Sequence, residues 1–520
     1  MNKYTKVLFN SYYDSVTLMS LASKIKKETN ANEVVVLMAT EMNKDLINRV
    51  GLSTDEVDKC CENDCIIGVE CEDDAENIVN NIIQKLNEGN KTKKEHKEIT
   101  YKTQDELYKD YDSNMVVISA PGAYAAHEAH IALRNNKNVM LFSDNVSLEE
   151  ELKLKTEAVS KDLLLMGPDC GTTIINGIGL CFANNVTRGN IGIIGASGTG
   201  LQEVTVLIDK LGYGISQAIG VGGRDLHKEI GALMTLQVLK ALNNDEETKV
   251  IIVVSKPPEK SVEDKVIEEA LKCKKPVVLC FIDGEHNGHK ENVEFCTQLP
   301  DAAKLAVSLI EKEADLSLID DDNNSLSLAK ETSIKLKPKQ KYLRALYCGG
   351  TLCAETLSEA KKNSLMVKSN LAKKSEEKLL DPEYSEMNTI IDMGDDYFTN
   401  GKPHPMIEPT IRLDRIVKEA EDEETAVILL DFELGYGSHD DPVGVTVDSI
   451  IKAKEIAKNN NRELIFVAYV CGTNKDKQNY EHSVQTLKDL GVIVTKTNNQ
   501  AAKLAISIIK EATYENKWFI

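Results

Sequence analysis

Aromatic residues make up only 5% of the 520-residue chain, with a single tryptophan. No apolar run approaches the roughly 20 residues that a bilayer-spanning helix needs, so a membrane protein is not expected. The opening MNKYTKVLFNSYYDS lacks the basic start, long apolar stretch and small-residue cleavage site of a secretory leader, which predicts a cytoplasmic chain. Basic residues are in deficit: 62 Lys and Arg against 83 Asp and Glu leave a formal charge of −21. The lysines are spread along helix-like segments rather than gathered in a block, so a phosphate backbone is repelled and nucleic acid is excluded as a partner. Of the twelve cysteines, Cys60, Cys61, Cys65 and Cys71 crowd into KCCENDCIIGVEC, yet no CxxC pair occurs there. Cys65 and Cys71 bracket the strand-like run IIGVE. Reduced structural thiols are expected, and no metal centre.

What the sequence does have is alternation. Strand-like KVLFN, EVVVLMA and CIIGVE are separated by segments with helical periodicity, and the same pattern continues to the C-terminus, which predicts parallel-sheet α/β domains throughout. The length predicts three or four of them. An N-terminal α/β domain (1–98) ends in the polar EGNKTKKEHKE. A second domain (99–188) carries MVVISA, NVMLF, a helix begun after Pro121–Gly122, LLLMGPDCGT and the hairpin-like INGIGLCFANN. A third (189–315) opens with NIGIIGASGTGLQE. Acidic and then basic residues over 316–340 read as a linker, and a fourth domain (341–520) starts at YLRALYCGG. The third and fourth repeat each other: ETKVIIVV (247–254) matches ETAVILLD (424–431), KPVVLCFI (275–282) matches ELIFVAYV (463–470), and DAAKLAVSLI (301–310) matches QAAKLAISII (500–509). Three matches in the same order imply duplication, hence two similar flavodoxin-like domains. Ligands in such sheets bind outside the carboxyl ends of the strands.

Several residue groups carry candidate chemistry. Ser197, Gly198, Thr199 and Gly200 lie between a strand and a helix, where unpaired N–H groups and the positive end of the helix dipole favour a phosphate or a developing oxyanion. The alternative is a tight turn that needs glycine only for its backbone angles, and the P-loop lysine is absent. His439, beside Asp440 and Asp441, is either a general base or an exposed loop histidine. His404 stands between two prolines in a rigid loop suited to binding, near Asp395 and Asp396. Arg224 and Arg412 can fork onto a substrate carboxylate or form ion pairs.

The run LLLMGPDCGTTIINGIGLCFANNVTRGNIGIIGASGTGLQE resembles a stretch of succinyl-CoA synthetase α subunits. That resemblance implies phosphate on Ser197, Gly198 and Thr199, with Glu203 beside the reacting group. AIGVGGRDL, with Gly222, Gly223 and Arg224, resembles another synthetase turn. Pro121, Gly122 and Ala123, together with Cys170 of GPDCGT, fall where the α subunit meets coenzyme A. LLDFELGYGSHDDPVG, with Gly435, Gly437 and Ser438, looks like the glycine-rich helix start of a β subunit, to which His439 and Asp440 would add acid–base groups. The implied fold is a Rossmann-like CoA-binding-type domain at 99–188 followed by two flavodoxin-like synthetase domains. Including NSYYDSVTLM and IDMGDDYFTNGKPHPMIEPTIR, the whole pattern most resembles the FdrA family. That family implies a subunit of a hetero-oligomeric oxamate carbamoyltransferase of purine and allantoin catabolism, with carbamoyl phosphate as substrate, small carboxylate and phosphate ligands, and no tightly bound cofactor other than a candidate coenzyme A. A homodimer is the alternative assembly. Three departures from the synthetases stand out: EHNGHKENVEFC lacks the small-residue frame of their phosphorylated histidine around His286 and His289, NSYYDS lacks a glycine-rich loop, and no nucleotide-grasping domain is recognisable. An ADP-forming acyl-CoA ligase and a non-catalytic metabolite-binding scaffold are the competing readings.

Overall fold

The computed structural model describes residues 2–29, 31–72, 74–91, 101–320, 325–399 and 402–515. The chain divides into two compact units, Met1–Tyr101 with Asp396–Glu408, and Lys102–Asp395 with Pro409–Ile520. No helix among the described residues is long and apolar enough to cross a membrane.

The first unit comprises β1 (Asn2–Leu8), α1 (Ser15–Thr29), β2 (Glu33–Met38), α2 (Glu41–Arg49), α3 (Asp55–Lys59), β3 (Cys65–Cys71) and α4 (Ala75–Lys91). Its strands lie in the order β1-β3-β2, and β3 runs antiparallel to both neighbours. The parallel sheet expected here is thus corrected. Met38 pairs with Cys65, so α2 and α3 return the chain to the sheet end it has just left, instead of crossing over to the other. Leu18, Ile25, Val36, Val69, Val79 and Ile82 form the core on one face, and Val7, Val35, Ile47, Val57 and Ile66 the core on the other. Cys60, Cys65 and Cys71 are buried in these layers and Cys61 is exposed; burial pushes the Cys65 thiol up to about 12. The expected boundary at 98 lies outside the described residues.

The second unit opens with α5 (Gln104–Asp110), β4 (Met115–Ile118), α6 (Gly122–Arg134), β5 (Asn138–Leu141), α7 (Leu148–Ser160) and β6 (Leu165–Met166). Its first sheet is parallel, in the order β4-β5-β6. Next come β7 (Thr172–Ile175), β8 (Ile178–Cys181), β9 (Arg188–Gly195), α8 (Gly198–Lys210), β10 (Ile215–Gly220), α9 (Leu233–Asn244), β11 (Val250–Ser255), α10 (Lys260–Leu271), β12 (Val277–Phe281), β13 (Gly288–Lys290), β14 (Val293–Cys296) and α11 (Leu299–Ile310). Their sheet runs β13-β14-β12-β11-β9-β10-β7-β8. Its five parallel strands, β10-β9-β11-β12-β14, have the flavodoxin-like order 2-1-3-4-5. The β7–β8 hairpin extends this sheet antiparallel to β10, although the sequence reading placed it in the preceding domain.

Within the expected linker 316–340 lies α12 (Ser325–Ser333), whose Ala329, Thr332 and Ser333 are buried; that segment is packed structure, with 321–324 outside the described residues. The last domain contains β15 (Tyr342–Tyr347), α13 (Gly350–Lys362), β16 (Thr389–Asp392), α14 (Asp396–Thr399, part of the first unit), α15 (Thr410–Glu421), β17 (Thr425–Glu433), α16 (Val447–Asn459), β18 (Ile465–Cys471), α17 (Tyr480–Asp489), β19 (Ile493–Thr495) and α18 (Asn498–Glu515). Its sheet, β16-β15-β17-β18-β19, is parallel and has the same 2-1-3-4-5 order. The duplicated flavodoxin-like pair is therefore real. One continuous apolar core joins the copies, with Ile193, Leu201, Val254 and Val307 of the first packed together with Leu343, Tyr347, Val427 and Leu504 of the second.

Candidate functional site

Each copy delivers a turn from its first strand into a helix, β9 into α8 and β15 into α13, and the two helix starts meet. Ser197 caps α8, its Oγ accepting the Gly200 N–H at 3.1 Å. The Ser197 and Thr351 hydroxyls hydrogen-bond to each other, and the Thr351 N–H donates to Thr199 Oγ1 at 3.2 Å. Gly200 permits this approach, because a Cβ there would stand 2.9 Å from Thr351 Cγ2. Two positive helix ends are thus held side by side.

The two ends differ in what faces them. At α13, Asp431 accepts the Cys348 N–H at 2.8 Å and the Gly349 N–H at 2.7 Å, and it is paired with Arg412 at 3.1 Å. This start already holds an anion, the chain's own carboxylate. Glu433, two residues along β17, is buried, and its carboxyl is driven well above the usual range by burial and by Asp431. Asp392, at the end of β16, is pushed up to about 7, chiefly by burial and against the pull of Lys256; a Cβ on Gly350 would collide with it. At α8 there is more room. The nearest atoms to a Cβ on Gly198 would be Gly171 Cα and Thr172 Oγ1, both at 3.8 Å. The first N–H groups of a helix have no intrahelical acceptor, and the buried Thr172 hydroxyl has no hydrogen-bond partner. Open donors with a spare hydroxyl suit an anion.

Three family models match the chain: "AllF, heavy metal-associated domain" over 1–103, "CoA binding domain" over 186–284 and "CoA-ligase" over 346–508. Escherichia coli YahF, an FdrA-family protein described as uncharacterized, is 46% identical over 505 residues, covering 96% of this chain and 97% of that one. The chain belongs to the FdrA family. Its copies are succinyl-CoA-synthetase-like. The Archaeoglobus fulgidus "Succinate--CoA ligase [ADP-forming] subunit alpha 1" is 28% identical over 188 residues, 35% of this chain and 62% of that subunit. The chain spans about half to three-fifths of the length of such α subunits. A solved ATP citrate lyase from Methanothrix soehngenii is 12% identical with a TM-score of 0.33, covering 81% of this chain and 86% of that one, a likeness too weak to carry an inference. The coenzyme-A-binding match lies C-terminal to the 99–188 domain that the synthetase resemblance had designated.

Within this FdrA-family chain the residues singled out from sequence separate into different places. Ser197, Gly198, Thr199 and Gly200 form the open helix start. Glu203, one turn further on, is buried between the copies and accepts the Asn498 N–H at the start of α18 at 3.4 Å. Its counterpart Glu355 accepts the Leu299 N–H at the start of α11 at 3.0 Å. Each copy's glutamate thus caps a helix of the other. Gly435 and Gly437 serve close packing rather than a helix start: a Cβ on either would lie 2.6–2.7 Å from carbonyls of Phe182, Ala183 or Cys181, and α16 begins only at Val447. Ser438 is buried beside them. The His439 Nδ1 lone pair is occupied by the Asp441 N–H at 3.0 Å, and exposed Asp440 pairs with Lys477, which lowers its pKa.

Arg224 is a tether, bonded to the Val146 carbonyl at 2.7 Å and to buried Glu151 at 2.9 Å. Gly222, at φ +85, backs onto Pro168, while Gly223 faces open space. Pro121 and Ala123 are exposed and Gly122 abuts the Asp144 and Asn145 carbonyls. Cys170 is buried, its thiol driven up to about 12. Gly122 and Cys170 both stand against the carboxyl end of β5, Cys170 donating its N–H to the Leu141 carbonyl at 3.2 Å. His404 closes a turn within the first unit by accepting the Met406 N–H at 3.2 Å. His286 and His289 are 43% and 60% exposed and face Glu263 and Glu294.

Sequence reasoning missed Cys348, Gly349, Gly350, Thr351, Glu355, Asp392, Asp431 and Glu433. The signal was present, since GASGTGLQE (195–203) and YCGGTLCAE (347–355) place a threonine and a glutamate at matching positions. The second helix start was sought at 429–444, a glycine-rich run, and it lies at 349–351.

Proposed function

We propose that this chain is the phosphate-handling subunit of a hetero-oligomeric oxamate carbamoyltransferase, exchanging oxamate and carbamoyl phosphate with oxalurate and phosphate. The observation that carries this reading is the inequality of the two facing helix starts, one filled by Asp431 and the other open. The phosphate of carbamoyl phosphate would lie against the Gly198 and Thr199 N–H groups and the Thr172 hydroxyl. As the oxamate nitrogen attacks the carbamoyl carbon, the C–N bond forms, the C–O bond to phosphate breaks and the nitrogen's proton passes to the departing phosphate. Charge grows on the phosphate in that step, and fixed donors are worth most where charge develops. The exposed positions of His286 and His289, each against a glutamate, favour a donor that arrives already activated over phosphohistidine chemistry.

The CoA-ligase match over 346–508 favours a second reading, ADP-forming acyl-CoA synthesis with a nucleotide-binding partner and coenzyme A as co-substrate. Phosphate release from carbamoyl phosphate plus oxamate, with the chain and its partner polypeptides assembled, separates the two. We expect turnover there, and we expect Gly198→Val to lose inorganic phosphate and carbamoyl phosphate binding in calorimetry while keeping its circular dichroism. Phosphohistidine at 286 or 289 after incubation with MgATP would reverse the choice.

A further inference from the structure

We propose that Cys348, Asp431 and Glu433 form a binding site for one divalent cation of the zinc type, at the start of α13 and beside Thr199 of the opposed helix. The three ligand atoms, one sulfur and one oxygen from each carboxylate, lie within 4.8 Å of one another, and all three residues are buried. Asp431 and Glu433 alternate along β17 and so project to the same face. Glu433 is only 3% exposed, and its Oε1 faces the Asp431 carboxylate with no donor of the chain's own between them. Two carboxylates in contact and out of water are costly unless a shared proton or a cation lies between them. That oxygen and Asp431 Oδ2 converge on the space beside Gly349, where a Cβ would stand 2.8 and 3.1 Å from them. Gly349 has φ −94, an angle open to any residue, so the glycine is there for the space its missing side chain leaves.

The surroundings are those of a ligand set. Asp431 is oriented by two backbone N–H groups and by Arg412, the kind of outer contacts that fix a metal-binding carboxylate. Three ionised ligands and one guanidinium sum to −2, which one divalent cation neutralises. Binding forms metal–sulfur and metal–oxygen bonds in place of the ligands' S–H and O–H bonds, and the protons given up pass to solvent. A thiolate among the ligands selects zinc-like ions over magnesium or calcium, and three protein ligands leave a fourth position open. A Cβ on Gly349 would also stand 3.1 Å from Thr199 Cγ2, so that fourth position borders the open helix start. The site does not depend on carbamoyl transfer being the reaction.

The test uses the full-length chain, stripped with a chelator and titrated with cobalt(II) as a spectroscopic stand-in for zinc. We expect one equivalent to be retained, with a thiolate-to-cobalt charge-transfer band that zinc abolishes by competition. Cys348→Ala should lose the band. Glu433→Gln should weaken uptake at least tenfold, and Cys61→Ser should change nothing. Should a variant misfold, zinc-edge X-ray absorption on the one-zinc wild-type protein decides: a single sulfur among oxygen or nitrogen neighbours supports the site. No retained ion, a band that survives in folded Cys348→Ala, or an absorption spectrum with no sulfur or with two or more would overturn it.

Discussion

Arg412 shows how one side chain can hold a site together without meeting a ligand. It is 2% exposed, lies over the Phe432 ring and donates to both the carbonyl and the carboxylate of Asp431. A buried charge of this kind is tolerated only with its partner, and removing one member of such a pair costs about 3–5 kcal/mol. We therefore expect Arg412→Met to lower the urea-unfolding free energy by about that much, despite the similar side-chain volume. A loss below about 1 kcal/mol would mean that Asp431 is satisfied by its backbone donors alone. Sequence reasoning left Arg412 to a substrate carboxylate or a surface ion pair; it is in an ion pair, but a buried one, with a carboxylate contributed by a strand.

At the level of elements, the reciprocal glutamates define the joint between the copies. Glu203 of α8 caps α18, and Glu355 of α13 caps α11. Burial, with Glu203 nearby, raises the Glu355 carboxyl to about 7, and Glu203 is raised as well. Between the ordinary carboxylate range and about pH 7 the folded state then binds more protons than the unfolded chain. Stability should fall as pH rises through that window and level off above it, by an amount on the order of 3 kcal/mol for Glu355. Thermal melts from pH 5 to 8 should show this slope in the wild type and a shallower one in Glu355→Gln; equal slopes would place the titration elsewhere. Elements of this kind were partly legible in advance. Strands and helices of both copies follow from alternating apolar patterns, and the open start at 197–200 from its small residues. The acidic half was not legible, because Cys348 and Asp431 are 83 positions apart and only the 2-1-3-4-5 strand order brings β15 and β17 together. The antiparallel β3 was hidden for a similar reason, since βα alternation records the elements and not the direction of the return.

At the scale of the second unit, one apolar core shared by the two copies means that they stand or fall together. Leu343 lies in the second copy and is fully buried in that core. Leu343→Ala should cost about 2–5 kcal/mol, and in hydrogen exchange followed by mass spectrometry it should speed the amides of β9 and β11 in the first copy as well as those of β15. Acceleration confined to the second copy would make the halves independent folding units. Joining the copies in one chain has a further effect. In an assembly of two identical subunits, any residue near the twofold axis appears twice, so a carboxylate installed at one helix start is installed at both. A fused pair escapes that constraint. Here one half carries Asp392, Asp431 and Glu433 where the matching positions of its twin are Gly220, Val254 and Lys256, so that covalent fusion lets the two facing starts differ in charge where a symmetric pair could not.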